Sequence, residues 1–471
     1  LPPATAKSLT LVVLPFVVEN SEAEQNLGVG IAESLSNKLG NLKRLTVISA
    51  SSGRALSDKS IAEIGEQLAV GYVLRGRIKM VNDEPQISAE FVGTGDGKPV
   101  WNEDFSSATG DLIGSQTKIA EKIWTTLQIE PSPVELELVS KRYTENQNAF
   151  ELYLLGRYQM TTRSPENLRN AISTFAQSLD ADPKFALAYV GLADAYALLN
   201  LYQIPPPEDA YAKAKENALK ALTIDESLAE AHASLAYVKF YADRDRVGAE
   251  LEFRRAIQIN PSYSTAHHWF ALVSAAMKDP SGSISEAKIA QSLDPQSPSI
   301  SAATAITYFY NRQYNEALAE AEKALKINSG FVPAHKVKRW IYQAMGNYDA
   351  AMNSFLRERS LSGGSDVPGW YVTQAQLDAF GSEREKSLEK LNRAVADSSI
   401  QNNPSSYAYE IALSYAAFGE IRKSLDWLER AEAEGSYSVN FLEVDPRLDA
   451  IRREPRYAEL VKKLTTVKTS K

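Results

Sequence analysis

Histidine is the side chain of this sequence best suited to proton transfer or metal binding, because its charge changes near neutral pH. Four histidines occur among 471 residues, at positions 232, 267, 268 and 335, and two are adjacent in the stretch AHHWF. His232, His267 and His335 take the same position in successive repeated units, described below, and such positions lie about 10 Å or more apart. A zinc ion needs ligands at about 2 Å. We therefore interpret these three histidines as structural and expect no metal site.

The other motifs of catalysis and cofactor binding are incomplete. The chain has no cysteine, which excludes disulfides and thiolate chemistry. Gly28 and Gly30 open a helix, but Glu33 stands where a dinucleotide fingerprint needs its third glycine. The run GTGDGK (residues 93–98) is too short between its outer glycines for a phosphate loop, so it predicts a hairpin turn. With neither a nucleophile elbow nor an HExxH motif, the sequence predicts no enzyme, no catalytic residue and no cofactor.

Composition and charge narrow the class of partner. Hydrophobic residues make up 44% and charged residues 23% of the chain, with a formal net charge of −8, which is typical of a globular protein and disfavours a nucleic-acid partner. The longest apolar run, LTLVVLPFVV, is too short to cross a bilayer. Residues 1–8 form a Pro-rich leader or linker, and we expect a membrane anchor or an effector domain upstream of Leu1.

The histidines lie in a part of the chain that consists of repeated helical units, which begin at about residue 147. Asn260-Pro261, Asp294-Pro295 and Asn328-Ser329 end helices at intervals of 34 residues. That period is the length of a tetratricopeptide unit, which is two helices joined by a turn. Gly346 and Gly419 stand where a left-handed residue ends a first helix. The sequence predicts an all-α tetratricopeptide solenoid of about eight units over residues 147–433, with a loop insertion at QIPPPED and a C-terminal capping segment over residues 434–471.

Strand and helix patterns alternate in the first part of the chain. SLTLVVLPF, LTVIS, YVLRGRIKMV, PQISAEFVGT and GKPVWNEDF read as strands. Helices are predicted over residues 26–39, over residues 60–68 with Ser60 as N-cap, and over residues 111–127. Residues 9–130 are therefore predicted to form an α/β domain with a mixed sheet, a hairpin turn at Asn82-Asp83, and a linker over residues 131–146.

Several segments resemble a known bacterial architecture along nearly the whole chain. Val13 to Phe16, IGEQLAVGYVLRGRI (residues 64–78) and GKPVWNEDF are similar to the TolB N-terminal-like domain. TENQNAFELYLLGRY (residues 144–158) and VDPRLDAIRREPRYAEL (residues 444–460) are similar to the tetratricopeptide portion that follows this domain in bacterial signalling proteins. The resemblance implies that this chain is the sensory part of a winged-helix, Ser/Thr kinase or cyclase signalling protein. It also implies an extracytoplasmic, periplasmic location in which the protein is anchored to the membrane. A cytoplasmic location is the alternative.

A stack of first helices forms a concave groove, which predicts a protein or peptide partner. The groove positions of the repeat are mostly aromatic here, and aromatic side chains are typical of interaction hot spots. These candidate partner-binding residues are Tyr237, Phe240, Tyr241, His268, Phe309, Tyr310, Lys336 and Trp340. The alternative is that several of them pack against neighbouring units. We expect this chain to be a non-enzymatic interaction module that forms the sensory or regulatory part of an envelope signalling protein. The alternative function is that of a scaffold subunit in a larger envelope complex.

Overall fold

The computed structural model describes residues 9–19, 25–81, 84–105, 111–161, 164–202, 209–363, 368–402 and 404–465. The predicted leader, the Asn82-Asp83 turn and all but the last residue of the QIPPPED insertion lie outside the described residues.

The first part of the chain is the predicted α/β domain. Its strands are β1 (Leu9–Val13), β2 (Val17–Val18), β3 (Leu45–Ile48), β4 (Tyr72–Val81), β5 (Glu84–Gly93) and β6 (Pro99–Asp104). Its helices are α1 (Gln25–Gly40), α2 (Ala50–Ala55), α3 (Ile61–Leu68) and α4 (Leu112–Thr126). Ser60 caps α3 in a capping box with Glu63, as its sequence predicts. Helix α2 was not predicted, and α5 (Pro133–Ser140) lies inside the predicted linker.

The sheet is mixed, as predicted. Its order is β3-β1-β4-β5-β6, with β2 paired to β4; β1 is parallel to β3 and β4, while β4, β5 and β6 are antiparallel. Leu11, Val12 and Val13 of β1 are all buried because both faces of the sheet are covered. Leu11 and Val13 pack in one core with α1 and α4, whereas Val12 packs in a second core with Ile64 and Leu68 of α3. The loop between β5 and β6 forms the predicted turn, with Gly97 in the left-handed region (φ 67°).

Helical repeats resembling a tetratricopeptide solenoid follow. Within the described residues the helices after α5 form eight successive pairs. The pairs are α6 (Gln147–Met160) with α7 (Pro165–Ala181), α8 (Ala186–Tyr202) with α9 (Ala210–Ile224), α10 (Ala229–Val238) with α11 (Arg246–Ile259), α12 (Ser264–Ala276) with α13 (Pro280–Leu293), α14 (Pro298–Tyr310) with α15 (Tyr314–Ile327), α16 (Val332–Ala344) with α17 (Tyr348–Leu361), α18 (Pro368–Asp378) with α19 (Arg384–Val395), and, after the short α20 (Ser398–Gln401), α21 (Pro404–Ala417) with α22 (Ile421–Ala433).

The 34-residue period is confirmed from α11 to α17, because α11, α13, α15 and α17 begin at residues 246, 280, 314 and 348. One unit is longer by a residue: the interval from Asp225 to Asn260 is 35. That unit is also where the first helix ends in a π-helical turn, Lys239–Asp243. A π turn holds one more residue than an α turn, so it absorbs the extra residue without displacing the following helix.

The α/β domain is fastened to the row of turns that join successive repeat units. Ser52 Oγ donates to Asp294 at 2.5 Å, Asn260 Nδ2 donates to the Asn37 carbonyl at 3.3 Å, and Lys141 pairs with Asp225 at 2.7 Å. One apolar core is continuous from the sheet through the helices up to Ala231 at the start of α10. The helix-ending residues that set the repeat period are therefore also the docking points of the first domain and of the linker that follows it.

Gly28 and Gly30 allow α1 to approach its neighbours closely. A Cβ added at Gly28 would lie 1.8 Å from the Phe16 carbonyl oxygen, and one added at Gly30 would lie 2.6 Å from Leu154 Cβ on α6. These contacts account for both glycines by packing.

After α22 the chain turns back over the repeats. It forms two 3₁₀ helices, Tyr437–Phe441 and Pro446–Ile451, and then α23 (Pro455–Thr465). No described helix combines the length and the apolarity that crossing a membrane requires.

Candidate interaction surface

The predicted groove residues lie on the first helices of the third to sixth pairs. We call the surface formed by α10 with its π-helical turn, α12, α14 and α16 the inner face. The structure brings the seven aromatic candidates together on it: Tyr237, Phe240, Tyr241, Phe309, Tyr310 and Trp340 share one core cluster, and His268 lies buried on α12. Lys336 is half-buried, with its Nζ 5.3 Å from the Trp340 ring centroid.

The inner face is covered by residues 437–451, which we call the terminal segment. Phe441 stacks on Tyr310 with ring centroids 4.9 Å apart and an interplanar angle of 14°. The same ring lies edge-on to Phe240 at 5.9 Å, and Tyr437 lies edge-on to Tyr241 at 6.2 Å. Asn440 Nδ2 donates to the Tyr241 carbonyl at 3.4 Å. The aromatic surface therefore holds a short helical segment of its own chain.

Beside the aromatic contact, the terminal segment buries a charged group against Trp340. The guanidinium of Arg447 lies 4.2 Å from the Trp340 ring centroid and pairs with Asp445 at 2.6 Å. Tyr409 Oη donates to Asp445 at 2.8 Å. Burial would raise the pKa of Glu410, but Arg447, Lys336 and Arg339 hold that pKa at about 2. Because breaking a buried ion pair leaves an uncompensated charge, these contacts fix the position of the terminal segment.

Three basic residues at equivalent positions join the repeats to the C-terminal part of the chain. Arg244, Lys278 and Arg312 follow successive first helices and have left-handed backbones with φ of 59°, 61° and 61°. Arg244 pairs with Glu432 at 2.8 Å, Arg312 pairs with Asp449 at 2.6 Å, and Lys278 pairs with Glu443. We call these three residues the basic ladder.

In the sixth and eighth helix pairs, glycine follows the first helix at the position that the basic ladder occupies in the third to fifth pairs. Gly346 (φ 73°) and Gly419 (φ 71°) have left-handed backbones, as predicted. A side chain in this region costs about 1 kcal/mol. The ladder residues bear that cost at the positions where a basic side chain reaches a carboxylate of the C-terminal part.

The three equivalent histidines have the shared structural role that the sequence predicts. His232 lies between Glu252 (Nδ1 to Oε2, 2.7 Å) and the Glu226 carbonyl (Nε2, 3.0 Å). His267 repeats this arrangement with Glu286 at 2.6 Å and the Pro261 carbonyl at 3.0 Å. His335 keeps the carbonyl contact, to Ser329 at 3.0 Å. In the described part of the chain no group of three or more metal-ligating side chains is placed to hold an ion.

Sequence reasoning identified the aromatic face but not what covers it. The sequence places the terminal segment within the predicted C-terminal capping segment, residues 434–471. Two signals were present: the aromatic pair Tyr437 and Phe441, and the basic residues that replace glycine in three consecutive units. Neither signal names its partner, because the contacts join residues more than 100 positions apart.

Residues 6–122 match the family model of the HilA/YgeH-like transcriptional regulator, second domain. Two relatives each align with about half of the chain. "Putative adenylate cyclase 3" of Rhizobium meliloti (strain 1021) is 25% identical over 241 residues, which is 50% of this chain and 41% of the relative. "Transcriptional regulator HilA" of Salmonella typhimurium is 24% identical over 281 residues, which is 57% of this chain and 48% of the relative.

Solved helical-repeat proteins match parts of the chain. The type IV pilus biogenesis factor PilW is 20% identical with a TM-score of 0.37, over 47% of this chain and 96% of PilW. YrrB, described as a TPR protein with an unusual peptide-binding site, is 19% identical with a TM-score of 0.27, over 41% of this chain and 94% of YrrB. The chain spans less than half the length of the two curated relatives.

Proposed function

We propose that this chain is a non-catalytic protein–protein interaction module, the regulatory part of a bacterial regulator, whose inner face binds a short segment of a partner protein. The observation that carries the proposal is the terminal segment itself. A helical segment of about one to two turns is held there by ring stacking, a cation–π contact and buried ion pairs. A partner segment with two aromatic side chains one helical turn apart would present the same chemistry.

The relatives support a regulatory assignment. Their names give two different outputs, transcriptional regulation and cyclase activity, and each is matched over only about half of this chain. A chain that is similar to proteins with different outputs is suited to a regulatory role rather than to one particular output. The upstream effector or anchor, the TolB N-terminal-like relationship and the periplasmic location belong to the same proposal. Cell fractionation of the full-length protein in its host tests the location.

A peptide-binding experiment tests the inner face. We would label a synthetic peptide of residues 434–453 and titrate it with wild-type protein, with Phe441→Ala, and with the control Phe380→Ala. Removing the Phe441 ring costs about 3 kcal/mol of docking free energy, so the peptide should bind the Phe441→Ala protein more tightly than the wild type. Phe380 stacks on Tyr348, on another unit, and its loss should leave peptide binding at the wild-type level.

The proposal is contradicted if the peptide does not bind the Phe441→Ala protein, or if it binds all three proteins equally. Far-UV circular dichroism of each variant shows that the repeats remain folded.

A scaffold subunit of a larger envelope complex is the second candidate, favoured by apolar side chains on the outer helix α11. Val247 is 57% and Leu251 is 63% exposed, and exposed apolar groups of this size are suited to a permanent contact. A scaffold should co-purify stoichiometrically with one complex, whereas a regulatory module should be joined to an effector in the intact protein.

A further inference from the structure

One charged side chain of the terminal segment is buried against aromatic rings of the inner face. The Arg447 side chain is 3% exposed. Its guanidinium lies over two rings, 4.2 Å from the Trp340 centroid and 6.0 Å from the Phe309 centroid. A guanidinium is planar and more weakly hydrated than an ammonium group, so it stacks on aromatic rings at a lower desolvation cost. Trp340 and Phe309 therefore form a binding position for a guanidinium, which we call the arginine seat.

The terminal segment supplies the counter-charge of this arginine two residues earlier. Nε and Nη2 of Arg447 donate to the two carboxylate oxygens of Asp445 at 2.9 and 2.6 Å. Asp445 also caps the second 3₁₀ helix by accepting a hydrogen bond from the Arg447 backbone N–H at 3.0 Å. Pro446 restricts the backbone between them. The sequence Asp-Pro-Arg therefore presents a preformed ion pair, and this lowers the cost of burying its charges.

Two adjacent residues of α21 contact the two members of this pair. Tyr409 Oη donates to Asp445 at 2.8 Å, and Glu410 Oε1 lies 4.0 Å from Arg447 Nη1. These contacts select arginine over lysine, because an ammonium group can neither lie flat on the rings nor donate in parallel to two carboxylate oxygens. An acidic side chain in place of the arginine would bring a second negative charge to Glu410.

The terminal segment leaves one hydrogen bond of the arginine unmade. Arg447 Nη1 is buried and has no hydrogen-bond partner among the described residues, and its 4.0 Å distance to Glu410 Oε1 is too long for a hydrogen bond. A buried donor without a partner weakens binding. A guanidinium that donated to Glu410 from the arginine seat would therefore be held more tightly than that of Arg447. This gives a partner segment a way to displace the chain's own segment, which is favoured by its high effective concentration.

We propose that the inner face recognises an arginine of its partner. The partner segment carries two aromatic side chains one helical turn apart and then an acid–arginine pair. Its arginine follows the second aromatic residue by six positions, as Arg447 follows Phe441. The aromatic residues bind where Tyr437 and Phe441 now lie, and the arginine occupies the arginine seat. This proposal rests on the function proposed above and adds an arginine requirement to it.

Peptide binding to an opened form of the full chain tests the arginine requirement. The receptor is the full chain with Phe441→Ala and Arg447→Gln, whose own segment no longer fills the aromatic contact and the arginine seat. The ligands are the labelled peptide of residues 434–453 and the same peptide with Arg447→Lys, Arg447→Gln or Arg453→Gln. Arg453 is exposed, so its substitution is the control that changes the peptide charge as Arg447→Gln does.

The unmodified peptide and the Arg453→Gln peptide should bind with equal affinity. Arg447→Gln should weaken binding about tenfold or more, and Arg447→Lys should weaken it about fivefold although it keeps the charge. In a receptor that also carries Trp340→Leu, Arg447→Gln should weaken binding less than about threefold, because the ring that holds the guanidinium is gone. A receptor with Trp370→Leu instead, at a ring that packs on Phe355, should keep the full difference.

The outcomes distinguish this proposal from the proposed function. If the four peptides bind equally, or if Arg447→Lys binds as tightly as the unmodified peptide, the arginine requirement is wrong while peptide binding at the inner face stands. An equal effect of Arg447→Gln in the Trp340→Leu and Trp370→Leu receptors also overturns it. If no peptide binds the folded receptor, both proposals are wrong. Far-UV circular dichroism shows whether each receptor is folded; should the doubly substituted chain not fold, Phe441→Ala alone replaces it, and the same order of affinities is expected.

Discussion

Glycine substitutions at Arg312 and at Arg244, two residues of the basic ladder, should have different consequences for stability. Arg312 and Asp449 are nearly half exposed, with side-chain exposures of 47% and 45%, and a solvent-exposed pair contributes about 0.2–1 kcal/mol. Glycine at this left-handed position recovers about 1 kcal/mol of backbone strain. Arg312→Gly should therefore leave the free energy of unfolding unchanged or raise it by up to about 0.8 kcal/mol. Arg312→Ala keeps the strain and loses the pair, so it should cost up to about 1 kcal/mol.

Arg244→Gly should destabilise the protein. The Glu432 side chain is only 6% exposed, and Arg244 also donates to the Glu432 carbonyl at 3.0 Å. Breaking a buried ion pair costs about 3–5 kcal/mol. Because Lys463 remains as a partner of Glu432, we expect loss of the Arg244 pair to lower the free energy of unfolding by about 2–3 kcal/mol. Relief of the backbone strain reduces this loss to about 1–2 kcal/mol.

Urea-induced unfolding measures both effects in the full chain. Tryptophan fluorescence and far-UV circular dichroism should give the same midpoint, which is the condition for comparing free energies. The reasoning is refuted if Arg312→Gly is as destabilising as Arg312→Ala, or if Arg244→Gly is no more destabilising than Arg312→Gly. The first result would show that the left-handed backbone carries no strain, and the second that burial of Glu432 does not strengthen its pair.

Two further predictions concern pH and close packing. The hydrogen bond from His232 is the main cause that lowers the pKa of Glu252 from its ordinary 4.5 to about 2. The ionised Glu252 therefore stabilises the fold fully above pH 4.5, and this stabilisation is lost as the pH falls towards 2. Glu252→Gln should remove about 2 kcal/mol of this acid-dependent stability, measured by unfolding at pH 7 and pH 3. Gly30→Ala places a Cβ 2.6 Å from Leu154 Cβ and should lower the free energy of unfolding in urea by about 1–3 kcal/mol. The control Gly95→Ala, with no atom within 4 Å of its Cβ, should leave that free energy unchanged. Equal effects of the two substitutions would contradict the packing role of Gly30.

The parts of the fold that could be predicted are those whose physical cause is local or periodic. Apolar alternation and caps define β4, β5 and α3, and the 34-residue spacing of helix-ending residues defines the units from Asp225 onward. The glycine turns at Gly346 and Gly419 follow from the energetic preference of glycine for left-handed backbone. Helix α2, with six residues, is too short to show a helical period.

The covering of the inner face could not be predicted because it depends on contacts between distant parts of the chain. Aromatic residues at first-helix positions are equally compatible with an open groove and with a buried core. The choice depends on Phe441, which stacks on Tyr310 across 131 residues. The same holds for the cleft between the α/β domain and the repeats, whose lining residues Glu33, Arg54, Arg157 and Asp194 belong to four helices of two domains. No spacing in the sequence relates them.

Covalent cross-linking tests most directly that the terminal segment occupies the inner face of its own chain. Because the chain has no cysteine, Tyr310→Cys with Phe441→Cys introduces one pair of thiols where the rings now stack at 4.9 Å. A short bis-maleimide should join this pair within one molecule, as a monomer by mass spectrometry, and should not join the control pair Phe380→Cys with Phe441→Cys. Failure to cross-link the first pair, or linkage of both pairs alike, would contradict the account.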